Sequence, residues 1–287
     1  MSSTPDKRRV EFADELRFLR IGAGLNGKEF ADRLGWHPSK VSKIENNRQD
    51  PTDADVAAWL DAVEAPAPVA TRMRDELRGM RIETNSWKNR LRKGHGDRQR
   101  YSVEVEGAAT RIRAFELMVV PGLVQIAEYA RHVFVTAAEL QETPPDTDEA
   151  VRIRLERQRV LYDSTKSIEL LMCESALRYF VCPPDVMLAQ IDRLLALIGL
   201  AAVRFGIIPL DTVLPSVPTN GFWIVGHRVL VETVDSEIDT DSPVDLATYH
   251  KLADSLWTVA AEGDDARRVL MRCAAAIAEK YDLNHKR

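Results

Sequence analysis

Residues 25–52 read LNGKEFADRLGWHPSKVSKIENNRQDPT, and the helix signals in this stretch decide the fold of the N-terminal part. Asn26 is placed to cap a short helix that runs to about Leu34, with Phe30, Ala31 and Leu34 on its core face. Gly35 follows as a C-cap and opens a tight turn. His37 then takes the next N-cap position, and Pro38 the first helical position, where its missing N–H costs nothing. The third helix, Pro38 to Glu45, buries Val41 and Ile44. It ends at Asn46-Asn47, a pair that tolerates the left-handed conformation. Upstream, Val10 to Ile21 puts Val10, Phe12, Ala13, Leu16, Leu19 and Arg20 on one helical face, and Gly22-Ala23-Gly24 ends that helix. Downstream, Thr52 and Asp55 have capping-box spacing ahead of a fourth helix with a core face of Val56, Ala57, Trp59, Leu60 and Val63.

Short helices with a tight turn between the second and third are the pattern of a helix-turn-helix. The second helix must stop at Gly35 so that the third can cross it, and Ala31 must be small where the third passes close by. With Val41 and Ile44 turned inward, His37, Ser39, Lys40 and Lys43 face out, on a helix of the size a major groove admits. Residues 12–63 resemble the Cro-repressor-like (xenobiotic-response-element) helix-turn-helix family. That family's pattern has glutamine near the start of the second helix and early in the third, and here Gly27 and Pro38 stand in those places. The expected DNA-binding residues are Asn26, Lys28, His37, Ser39, Lys40, Ser42, Lys43, Asn47 and Arg48. From their outward placement, Ser39 and Lys40 are expected at base edges, and Lys43 and Arg48 on phosphates.

Beyond the helix-turn-helix, the runs ATRIRAFELMVVPGLVQIAEYAR (109–131), RLERQRVLYD (154–163) and ESALRYFV (174–181) resemble the large C-terminal domain of actinobacterial two-part regulators. That resemblance implies transcriptional regulation, an antitoxin-like character and a small partner protein encoded nearby.

Charge agrees with this division. The net charge of the 287 residues is −5, but residues 1–60 are neutral, 61–113 carry +4 and 114–287 carry −9. Phosphate attraction follows local charge, so the acidic half is expected to face away from DNA. The expected fold is an all-α N-terminal helix-turn-helix domain of four to five helices, followed by a larger α+β domain. The expected boundaries are 10–65 for the DNA-binding domain, 66–103 for a basic helical linker and 104–287 for an α+β sensor and dimerisation domain. Residues 10–65 are expected to carry a complete core of their own. The segment Arg72–Arg100, with ten Lys/Arg against four Asp/Glu, has two readings: an arm that tracks phosphates, or a linker whose cations pair with carboxylates. Trp87 is read as packed rather than stacked on a base.

Within the second domain, strands are expected at 114–120, 167–173 and 203–208, with a hairpin at 222–234 around Gly226-His227. Helices are expected at 104–113, 123–140, 149–163, 184–199, 243–261 and 265–283. Pro121-Gly122 reads as a strand-to-helix turn that needs glycine, or as the edge of a pocket. A partner or ligand surface is expected from Gln125, Glu128, Tyr129, Arg154, Arg157 and Gln158. The two arginines there could instead pair with Glu128 or Glu174.

No catalytic or cofactor motif stands out. Asp235, Glu237, Asp239 and Asp241 alternate like a calcium loop, but Thr240 stands where glycine is needed and Leu246 where the last glutamate belongs. The run therefore reads as a solvated acidic loop. The histidines have no HExxH spacing, and neither a P-loop nor GxSxG occurs. Cys173, Cys182 and Cys273 lack CxxC spacing and read as buried thiols. No signal peptide or membrane span is read, so a cytoplasmic location is expected. These observations point to a DNA-binding transcriptional regulator, not an enzyme, acting as a homodimer on double-stranded DNA without a cofactor. The alternative is an antitoxin-like interaction protein whose DNA binding serves autoregulation.

Overall fold

The helix signals of residues 25–52 are realised almost residue for residue. In the computed structural model, which describes residues 5–85 and 87–285, α1 is Pro5–Gly22, α2 Gly27–Leu34, α3 Pro38–Glu45, α4 Asp53–Ala62 and α5 Ala67–Asn85. Asn26 caps α2 through its side chain in a capping box with Glu29, and Gly35 ends α2 at φ 65°. The His37 ring accepts from the Ser39 amide at the start of α3. Thr52 and Asp55 form the capping box of α4. Asn47 adopts φ 52°, the left-handed turn expected after α3.

These elements close on one apolar core: Phe12, Leu16, Phe30, Ala31, Val41, Ile44, Val56, Trp59 and Leu60. The Trp59 indole donates to the Leu16 carbonyl at 3.0 Å and meets Phe30 edge-on at 4.6 Å. Val10 was expected in this stripe but is 46% exposed. The apolar face of α1 runs through Phe12, Ala13 and Leu16 to Arg20. Arg20 is itself buried and binds both carboxylate oxygens of Glu45, at 2.5 and 2.9 Å, and the Leu25 carbonyl.

The core does not end at residue 65. Met73, Leu77 and Met80 of α5 are buried in it, so the first compact unit runs Met1–Ser86. Where the sequence suggested a linker, the structure has a helix whose apolar face completes the domain. Three basic residues of α5 lie beside carboxylates of their own unit. Arg72 binds Glu15, Arg74 lies 4.0 Å from Asp61, and Arg78 lies 3.7 Å from Asp75.

The second unit, Trp87–Arg287, is an α+β domain on a seven-stranded mixed sheet. It begins with α6 (Trp87–Arg90) and α7 (His95–Ala108). The strands are β1 (Arg111–Glu116), β2 (Ser167–Cys173), β3 (Val203–Ile208), β4 (Phe222–Val225), β5 (Arg228–Glu232), β6 (Glu237–Thr240) and β7 (Ala261–Glu262), in the order β6-β5-β4-β1-β2-β3-β7. Helices α8 (Ala127–Gln141), α9 (Thr147–Arg157), α10 (Pro184–Leu197), α11 (Pro243–Trp257) and α12 (Gly263–His285) complete it. β1, β2 and β3 are parallel, and the required crossovers run through α8–α9 and through α10. Alternation along the strands then builds two cores. Ile112, Ala114, Ile168, Leu170, Phe205 and Ile207 join α10 and α12 on one face. Phe115, Leu171, Ile208, Phe222, Val229 and Val231 join α11 on the other.

Several expectations shift here. The strand expected at 114–120 starts at Arg111, because Arg113 is buried and held by Glu169 and Asp254 on the α11 face. The helix expected at 104–113 lies earlier, at His95–Ala108, and the one expected from 123 begins at Ala127 after a short 3-10 turn at Gly122–Val124. Gly122 has no left-handed backbone. A Cβ there would sit in ordinary contact with Arg154, so the turn does not require glycine. Gly94, by contrast, adopts φ 97°, and a side chain would collide with the Asp146 carboxylate, which accepts from the amides of His95 and Gly96. Of the acidic run, Asp235 and Asp241 are exposed outside any strand, but Glu237 and Asp239 lie in the edge strand β6. Glu237 is fully buried against Arg90 and Arg98, and Asp239 binds Arg228 and the Tyr101 hydroxyl. Trp87 is packed, its indole donating to the Thr233 carbonyl at 2.9 Å. All three cysteines are buried thiols. No helix among the described residues is long and apolar enough to cross a membrane.

Candidate functional site

In α3, successive residues turn by about 100°, so positions three, four and seven apart share a face. Val41 and Ile44 are buried on one side. Ser39, Ser42, Lys43 and Asn46 are exposed on the other, as a continuous stripe. Around it stand the exposed Asn26, Lys28, His37, Asn47 and Arg48. The Ser39 hydroxyl lies 2.7 Å from His37 Nδ1, and the Asn46 side-chain amide donates to the Ser42 carbonyl at 2.7 Å, so both ends of the stripe are braced.

Lys40 does not share this surface. Its ammonium lies 2.6 Å from Asp55 and 4.0 Å from the centre of the Trp36 ring, and the side chain is half-buried. The sequence expectation placed Lys40 at a base edge; here it stands one residue along from Ser39, and that step of about 100° turns it off the stripe and toward Asp55 of α4. Asn46, read from sequence only as a helix stop, belongs to the outward face. Its i, i+3, i+4, i+7 relation to Ser39, Ser42 and Lys43 was the signal that could have found it.

In the second unit, residues from α7, α9 and the turn before α8 enclose a polar cavity of about 100 Å³ against β1, β4 and β5. Gln125, Arg154 and Arg157, three of the expected surface residues, line it. Arg157 is buried in a bidentate pair with Glu106. Arg154 donates to Gln99 at 3.1 Å and to Gln125 at 2.7 Å, and its guanidinium stacks 4.3 Å from the Phe134 ring. Gln125 in turn donates to the Val120 carbonyl. The other three residues lie apart. Glu128 is exposed. Tyr129 is fully buried, its oxygen accepting from the Val120 amide, and Gln158 donates to the Gln125 carbonyl from behind the wall. Neither arginine meets Glu128 or Glu174; Glu174 is taken by Arg178 and Arg272.

Sequence reading missed Arg98, Gln99, Glu106, Glu116, Trp223 and Glu232, which also line the cavity and come from segments far apart in the chain. Burial pushes the Glu116 carboxyl up to about 8, with the Glu232 carboxylate adding to the effect, while the Trp223 indole donates to it at 2.7 Å. Burial, then the nearby Arg157, makes the Arg154 cation costly and draws its pKa down. Arg98 is held by Glu237 and Ser102, but its buried Nε finds no acceptor among the described residues.

The architecture is that of a helix-turn-helix protein with a second, α+β domain that carries a partly open polar cavity. Comparison with known families agrees: residues 11–73 match a helix-turn-helix domain, and residues 99–272 match the family described as a domain of unknown function, DUF5753. That second match covers more than half of the chain, and the chain belongs to this family. No curated protein and no solved structure matches it. The helix-turn-helix domain makes the chain a DNA-binding regulator in kind.

Proposed function

We propose that the protein is a sequence-specific transcriptional regulator of the Cro-repressor-like type, which sets α3 in the major groove of its operator. The observation that carries this reading is the exposed stripe Ser39, Ser42, Lys43 and Asn46, backed by buried Val41 and Ile44. Hydroxyl and amide groups at this spacing suit base edges, and Lys28, Lys43 and Arg48 suit flanking phosphates. Asn26, His37 and Asn47 border the same surface. One such helix reads few base pairs, so the protein acts as a homodimer on two half-sites. The second domain modulates DNA affinity by binding a small partner protein or ligand and has no enzymatic role.

Selection of bound duplexes from a random pool by the full-length protein tests this. A two-fold-symmetric consensus, lost in Ser39→Ala/Ser42→Ala, is the expected result. A pool that stays random, or an unchanged consensus in the double variant, rejects it.

A further inference from the structure

We propose that the polar cavity of the second domain is a binding site for a small carboxylate with a short apolar tail, its anionic group taken by Arg154. The DNA-binding reading is needed only for the consequences of this binding, not for the binding itself.

The argument starts from the ion pairs of the cavity wall. Arg157 is matched by Glu106, and Arg98 and Arg90 by Glu237. Arg154 has no carboxylate within ion-pair distance among the described residues. Its Nε and Nη1 donate to glutamine oxygens, and its Nη2 donates to nothing described. A half-buried guanidinium beside two others is costly unless an anion compensates it. The unpartnered Nε of Arg98 marks a second donor on the same cavity. Glu232 and Glu106 act on Arg154 at longer range but do not touch it, and a cation without a contacting carboxylate, beside a second donor without an acceptor, is what an anionic group in this space would satisfy.

The rest of the lining fixes the ligand class. Val119, Val120, Val133 and Leu230 give the cavity apolar walls. About 100 Å³ admits only a few heavy atoms beyond the anionic group. Of the lining carboxylates, Glu106 and Glu237 are engaged by arginines and Glu232 is exposed, while Glu116 is protonated at neutral pH, because its carboxyl is pushed up to about 8. It is then a hydrogen-bond partner for the ligand and not a second anion. Glu116 is faced by Glu232 from β5, Arg154 from α9, the Tyr129 hydroxyl from α8 and the Trp223 indole from β4. Raising the pH through its pKa places a carboxylate beside the ligand's anion and weakens binding.

Calorimetric titration of the full chain, without DNA, with acetate, propionate, butyrate and the neutral isostere propionamide tests the proposal. The expected result is saturable binding of at least one carboxylate and none of the amide. Affinity should fall at least about tenfold in Arg154→Gln. Absence of heat from every carboxylate up to millimolar concentration overturns it, as does unchanged affinity in an Arg154→Gln variant that melts like the parent. Should Arg154→Gln not fold, Glu116→Gln decides. Parent affinity should drop between about pH 7 and about pH 9 and that of the variant should drop less. Identical profiles overturn the proposal. No duplex is present, so failure of the DNA-binding reading leaves these outcomes unchanged.

Discussion

Lys40 Nζ lies 2.6 Å from Asp55 Oδ1 and 4.0 Å above the centre of the Trp36 ring, so a cation at the start of α3 is held by its own domain. Burial alone would raise the Asp55 carboxyl. Hydrogen bonds from Lys40 and Thr52 outweigh it and hold the group below its ordinary value of 3.8.

Lys40→Met is therefore expected to lower the stability of the first domain by about 1 kcal/mol while leaving the preferred operator sequence unchanged. Because the pKa of Asp55 is depressed on folding, its contribution is fully present above the unfolded value and is lost as pH falls through the folded one. The stability gap between parent and variant should close below about pH 4. Denaturant titrations at several pH values, with duplex selection by the variant, check both parts. A variant that keeps its stability but changes its consensus places Lys40 at the bases after all.

On the outward stripe, the hydroxyls and the cations should separate in a salt series. Ser39→Ala/Ser42→Ala should reduce discrimination by about 1–3 kcal/mol per lost base contact. Lys43→Ala and Arg48→Ala should each weaken all duplexes alike and flatten the salt slope by about one unit. Fluorescence anisotropy against specific and scrambled duplexes reads both quantities.

The Arg20–Glu45 pair ties the end of α1 to the end of α3, with 8% and 9% of the two side chains exposed. Glu45→Ala leaves a buried guanidinium with the Leu25 carbonyl as its remaining acceptor, and should cost about 3–5 kcal/mol. Arg20→Met/Glu45→Leu should recover most of that loss, since no uncompensated charge remains. Thermal melts of the two variants decide, and a double variant no better than the single would show that the pair, not the lone charge, matters.

Fragments should reveal where the first domain ends. A chain cut after Pro66 lacks Met73, Leu77 and Met80, each worth about 1.5–3 kcal/mol of apolar burial, and should be largely unfolded. A chain ending at Asn85 should melt cooperatively. Circular dichroism on both fragments checks this, and a stable shorter fragment would mean that α5 only covers a finished core.

The sequence by itself determined what is local. Caps and breakers at Asn26, Gly35, His37-Pro38, Asn47 and Thr52 act over one helical turn, so they fixed α2, α3 and α4 before any packing was known. Runs such as 170–173 and 205–208 are buried on both faces of a parallel strand, and that burial is legible as unbroken stretches without charge. Polar residues whose partners are distant in the chain were decided only by tertiary structure. Arg113 reads as the end of a helix until Glu169 and Asp254 hold it in β1, and Glu237 as part of an acidic loop until Arg90 and Arg98 bury it. The cavity shows the same dependence. Gln125 and Arg154 could be singled out along the chain, but Glu116, Trp223 and Arg98 join them only when β1, β4 and α7 come together. A charge is affordable inside a protein only with a partner, and no local pattern in the chain records where that partner will be.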